Sequence, residues 1–265
     1  MGDWNPNGKA LSELLRTRTM PLGIKLLSTP AQFPEKARRP WQSMGIKIPV
    51  CQAFSMARLY GWTIGMTAED VNCPSALALY GWIDLDPAAA KDTLTKFMLL
   101  AGYASDEAAA VRQVESFRPL ERGQCAGILI SPLERIPQEP DLVMVYGNPA
   151  QMARLLHAAT YHDGQPVTSS FSGRAGTCGS GLLTALQTGA YQVAIPGTGD
   201  RAFSMAQDDE MAFIAPASKL GELVTGLSLA GKNVGVRYPI PPYLRFSPEF
   251  PALYSQTATT TGSKE

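Results

Sequence analysis

The apolar positions change texture part-way along the chain. Up to about residue 123 they recur at helical spacing. Leu11, Leu14 and Leu15 share one face and predict a helix over 9–16. The spacing predicts further helices over 50–60, stopped by Gly61, over 74–80 behind Pro74, over 87–100, and over 105–117 with Ser105 as N-cap. Within this half only 22–27, between Pro21 and Pro30, reads as a strand. The Pro- and Arg-rich stretch 29–41 reads as a surface connection.

Beyond residue 123 short apolar runs alternate with helices. The runs AGILIS (126–131) and DLVMVY (141–146) are bounded by Gly or Pro and predict buried strands. A helix follows over 149–159, carrying Met152, Leu155, Leu156 and Ala159. The loop FSGRAGTCGSG (171–181) comes next, then a helix over 182–187, strands at 191–195 and 211–215, a helix over 218–230 and a last strand at 233–237. The pattern predicts a mixed α/β (α+β) fold: one compact domain over 1–254, a mixed sheet flanked by helices, and a disordered Ser/Thr tail at 255–265. A helical half (1–123) followed by an α/β half (124–254) is the finer division this texture suggests.

Charge narrows the function classes. Lys plus Arg number 23 and Asp plus Glu number 23, so the net charge is zero over 265 residues. That argues against a nucleic-acid binder held by a basic field, and against a polybasic membrane-surface protein. No run reaches the roughly 18 residues of apolar sequence that a membrane span needs. The first residues carry neither a secretory signal nor a myristoylation motif, so a cytoplasmic, reducing location is expected. In that setting the four cysteines are not a disulfide scaffold.

Cys51, Cys73, Cys125 and Cys178 lie far apart, with no Cys-x-x-Cys pair. Each sits at a helix start or a Gly/Pro turn, where backbone N–H groups and close approach suit a thiolate ligand. Four thiolates fit one [4Fe–4S] cluster or a zinc ion. Three leave an open iron to act as a Lewis acid; buried, inert thiols are the plain alternative. His157 is a candidate extra ligand on a helix, and His162 lies in a turn. Asn148 and Gln151 start a helix after a strand, and Arg201 follows the turn Gly197-Thr198-Gly199-Asp200. These three are candidate substrate contacts at strand ends, against plain capping and an Arg–acid pair with Asp208-Asp209-Glu210. The segment Ser172-Gly173-Arg174-Ala175-Gly176 reads as an anion nest without a P-loop or dinucleotide signature.

From about Leu11 to Leu229 the chain resembles the prokaryotic domain-of-unknown-function family 169. The resemblance lies in Met20-Pro21-Leu22-Gly23-Ile24-Lys25, Cys51 with Ala57-Arg58 and a following glycine, and Asp70 to Cys73. It continues through Ala101-Gly102-Tyr103, Ser131-Pro132-Leu133, Pro140-Asp141-Leu142-Val143 and Gly147-Asn148-Pro149-Ala150-Gln151. It ends with Cys178, Gly199-Asp200-Arg201 and Asp208-Asp209-Glu210. The family's spread among anaerobes and archaea implies an oxygen-sensitive iron–sulfur site. The resulting expectation is a [4Fe–4S] protein of anaerobic metabolism acting in redox or lyase/hydratase chemistry on a small molecule, with an electron-transfer partner in the redox case. The alternative is a non-metal small-molecule site at the strand ends, with the cysteines structural or holding zinc.

Overall fold

The computed structural model describes residues 4–83, 86–240 and 251–254. The tail expected to be disordered lies outside them. Six strands form one sheet: β1 (Leu22–Leu27), β2 (Ile64–Met66), β3 (Gly127–Pro132), β4 (Leu142–Gly147), β5 (Gln192–Ala194) and β6 (Met211–Pro216), in the order β2-β3-β1-β4-β6-β5. The mixed α/β class is as expected, but the sheet is antiparallel in every strand pair, not mixed. Among the described residues, parallel pairing is confined to isolated bridges at Arg38–Ile64 and Ile48–Val71. Because β1 lies between β3 and β4, the N-terminal and C-terminal halves share one sheet.

The near-continuous apolar runs have a direct cause: both faces of the sheet are buried. Alternate residues serve opposite cores. Ile128, Ile130, Met144 and Ile214 face one side with Phe54, Leu79 and Leu182. These come from α3 (Val50–Tyr60), α4 (Pro74–Leu79) and α8 (Leu182–Thr188). Leu129, Val143, Val145 and Phe213 face the other, against Leu11, Leu155 and Leu223. These come from α1 (Trp4–Leu15), α7 (Pro149–Ala159) and α10 (Leu220–Leu229). A hairpin of α5 (Pro87–Leu100) and α6 (Glu107–Glu115) packs outside the first layer through Met98, Ala110 and Val114.

The boundary signals act as read in most places. Gly61 closes α3 at φ 72°, where a side chain would be strained. The α5/α6 loop differs by one residue: Asp106, not Ser105, caps α6 by accepting from the Ala109 N–H. Four further elements depart from expectation, the first being β2, a second strand in the half where only 22–27 reads as one, formed by pairing with β3. Residues 40–44 form a short helix, α2 (Pro40–Met44), inside the stretch read as a connection. Residues 198–204 form α9 (Thr198–Ser204). The strand expected at 233–237 is a 3₁₀ turn over Lys232–Val234 instead, bracketed by Gly231 and Gly235 in left-handed conformation, which no strand tolerates.

Helices α7 and α10 meet at Gly226, where a Cβ would drive into the Ala158 backbone. Gly226→Ala is expected to destabilise the protein by about 1–3 kcal/mol through overpacking, measured as a lowered urea midpoint.

Candidate functional site

Three chain-distant cysteines meet at one cavity of about 420 Å³, on the α3/α4/α8 side of the sheet. Cys51 is the second residue of α3, behind Pro49. Cys73 is the N-cap of α4, with Pro74 setting the first turn. Cys178 lies in a π-helical turn, Gly176–Gly181, that leads into α8. The glycines of that turn are dictated by contact. A Cβ at Gly176 would collide with the Ile195 carbonyl, and one at Gly181 would press on Ala194 and Ile214 at 2.9 Å. The chain can reach the sheet closely enough to place Cys178 only without side chains there.

The rest of the wall is largely apolar: Leu79, Leu94, Met98 and Phe117, with Phe97, Tyr103 and Phe203 exposed at the edge. A second cavity of about 390 Å³ lies across Leu79, Leu94 and Phe117 and has no thiol in its lining.

Burial sets the thiol chemistry. Desolvation, reinforced by the nearby Asp200, pushes the Cys51 thiol up to about 12. Desolvation also drives Cys178 well above the ordinary thiol value, with Cys51 and Asp200 adding to it. Asp200 is itself raised by burial. It lines the cavity, yet both its oxygens are engaged. Oδ1 accepts from Thr177 Oγ1 at 2.5 Å and Oδ2 accepts from the Gly197 N–H at 2.9 Å, so it fixes the start of α9 against the Cys178 turn.

Cys125 is buried but does not line this cavity. It lies two residues before β3, and its Sγ donates to the Gly127 carbonyl. Two stacked rings span from its backbone to that of Cys178: Trp82 Nε1 donates to the Cys125 carbonyl, Tyr80 Oη donates to the Cys178 carbonyl, and the centroids are 4.9 Å apart. The four thiols expected to converge are thus placed as three plus one. Among the described residues, no group of three or more His, Cys, Asp or Glu is placed so that it could hold a metal ion. His157 is exposed on α7, on the opposite layer, and His162 is exposed beside Tyr161.

The strand-end candidates are occupied by the fold. Asn148 and Gln151 form a reciprocal capping box at α7, and Gln151 Nε2 also donates to the Leu15 and Arg16 carbonyls, pinning the end of α1. Arg201 pairs with Asp208 at 2.8 Å. None of the three lines the cavity.

One residue missed as chemistry in the sequence is Arg58. It lies on α3 between Ala57 and Leu59, and its side chain is buried. Its two terminal nitrogens donate to both Glu210 oxygens at 2.8 and 3.0 Å, and its guanidinium stacks 4.1 Å above Tyr146. Only its place in the matching stretch Ala57-Arg58 marked it in advance.

Two outcomes follow. In the native protein at pH 8, N-ethylmaleimide should modify the half-buried Cys73 first; mass spectrometry of timed digests checks this. Cys51 should be slower by orders of magnitude, because a thiol at about 12 is only roughly one part in 10⁴ thiolate at that pH. Glu210→Gln or Arg58→Met alone should cost about 3–5 kcal/mol, and the pair Arg58→Met with Glu210→Leu much less than the sum, in urea unfolding.

Among the described residues, no helix is long and apolar enough to cross a membrane. No solved structure matches the chain. A curated relative, "Uncharacterized protein MJ0308" of Methanocaldococcus jannaschii, is 23% identical over 221 residues, which is 83% of this chain and 92% of the relative. The model of the DUF169 family, described as "Uncharacterised ArCR", matches residues 10–226. The three cysteines of the cavity all fall within that match, and the chain belongs to the DUF169 family.

Proposed function

We propose that the protein binds a small, largely apolar molecule in the three-thiol cavity. The observation that carries this reading is the convergence of Cys51, Cys73 and Cys178, from three separate segments, on one cavity of about 420 Å³. Ligand sites are characteristically concave, mostly apolar, a few hundred cubic ångströms in size, and set with a few polar groups. Exposed aromatic side chains at the edge, Phe97 at 45%, Tyr103 at 40% and Phe203 at 63%, extend the apolar surface outward. The buried thiols are held neutral, which keeps the lining soft and polarisable rather than nucleophilic.

Ligand-observed NMR with indole and naphthalene as probes tests this reading. Binding should be seen with the wild type and should weaken at least tenfold in Ser75→Trp, which puts bulk into this cavity from a residue the second cavity does not share. Equal binding to both proteins, or no binding of either probe, would overturn it.

The same three thiols favour a second reading. They suit an iron–sulfur cluster held by three thiolates, with one iron open for redox or lyase chemistry on a small molecule. Thiolates on one tetrahedral zinc sit only about 3.8 Å apart, given Zn–S bonds near 2.3 Å, whereas a four-iron core spreads its ligands more widely around a cavity. Bound iron would reverse the thiol electrostatics, since coordination removes the proton outright. Anaerobic reconstitution tests this reading. About four iron and four sulfide per chain should bind to the wild type and to Cys125→Ala, and not to Cys73→Ala. Iron uptake unaffected by Cys73→Ala would end it.

A further inference from the structure

The glycine-rich segment around Ser172–Gly176 has a different use from the anion nest its sequence suggests. Gly173 supplies a left-handed turn at φ 69°, and Gly176 lies where a Cβ would collide with the Ile195 carbonyl; from outside the segment, Gly197 packs so closely that a Cβ there would meet the Gly173 carbonyl at 2.9 Å and the Arg174 Cα at 3.2 Å. Ala175 is held in left-handed conformation at φ 43°, unusual for a residue with a side chain. This turn brings Arg174, beside Ala175, to the cavity wall.

That guanidinium is short of acceptors. It lies 4.8 Å from the Tyr103 ring centroid, and its Nη1 sits 2.9 Å from the Met98 thioether, which is a weak acceptor. Its Nε is buried with no hydrogen-bond partner. Among the described residues no carboxylate pairs with it, whereas Arg58 holds Glu210, Arg39 holds Asp70, Arg201 holds Asp208 and Arg18 holds Asp209. A buried donor left unpaired carries its full desolvation cost. An anion in the cavity would offer the terminal nitrogens charge-assisted hydrogen bonds in place of the weak thioether contact. Burial lowers the Arg174 pKa, consistent with a cation lacking a counter-charge.

We propose that Arg174 is the anion-binding group of this cavity, and that the ligand is a monocarboxylate with an apolar body. One guanidinium matches one carboxylate in charge and fork geometry. A dianionic phosphate would face Asp200 with no second cation in the cavity lining. The apolar walls take the rest of the molecule. This inference rests on the cavity being the ligand site.

The test uses 3-phenylpropanoate and its neutral twin 3-phenylpropanamide, with decanoate and decanamide as an aliphatic pair. Affinity is read by ligand-observed NMR and by protection of Cys73 from N-ethylmaleimide. The acids should bind the wild type at least tenfold more tightly than the amides. In Arg174→Gln the difference should shrink to within twofold, with amide binding retained as proof that the cavity is intact. Arg174→Lys should keep part of the preference. Amides binding as well as acids, or a preference that survives in Arg174→Gln, would overturn the proposal. Absence of acid binding while indole still binds in a Ser75→Trp-sensitive way would overturn it and leave the cavity reading standing. Absence of binding by every probe would overturn both.

Discussion

The ion pair of Arg58 and Glu210 is the constraint around which the site is arranged. It joins α3, whose first turn carries Cys51, to the segment between α9 and β6, and α9 carries Asp200. Gln207 N–H donates to the same Glu210 carboxylate, and Arg58 also reaches the Met205 carbonyl, so the whole α9–β6 connection is tied to one guanidinium. Burying two charges is costly, and such a pair is weak evidence for stability. Its value here is positional: it sets where α9 stands against α3, and therefore the distance across the cavity. Each neighbouring acid has its own arginine, Arg201 for Asp208 and Arg18 for Asp209, so the run Asp208-Asp209-Glu210 is divided among three separate contacts.

The electrostatics of the cavity then limit its occupant. Cys51, Cys178 and Asp200 all sit where desolvation resists negative charge. An entering group must bring positive charge to the thiols, as iron would, or stay neutral beside them and place any negative charge at Arg174. The two readings of the site are therefore distinguished by which end of the cavity the ligand's charge meets.

Much of the fold is legible in the sequence because its signals are local. The runs at β3 and β4 are continuously apolar since helices cover both faces, and Gly61 ends α3 in the left-handed conformation that favours glycine. Signals fail where structure is short or decided at a distance. The three residues of β2 form a strand only because β3 pairs with them, and α9 begins at Gly197 where Asp200 reaches back to the backbone. The site is partly legible for the same reason. Turn context marks each cysteine, but it cannot separate Cys125 from the other three. That separation depends on Tyr80 and Trp82, more than forty residues away from Cys125 and from Cys178. Asn148 and Gln151 show the converse: the capping box uses their oxygens locally, and their amide nitrogens donate to Tyr238 Oη and to the Leu15 and Arg16 carbonyls, which leaves little to offer a substrate.

The two edges of the sheet carry a consequence for how copies of this chain behave in a crowded solution. Both outer strands, β2 and β5, are only three residues long. The β2 edge is covered by Arg38, which bonds to Thr63 and Gly65, and the Val193 N–H of β5 is taken by Ser169 Oγ. Among the described residues, neither edge presents a run of open backbone on which a foreign strand could template. Self-association by strand addition, the usual route from an antiparallel sheet to fibres, is closed at both ends of this one, and contact between copies falls to side chains on the helical layers.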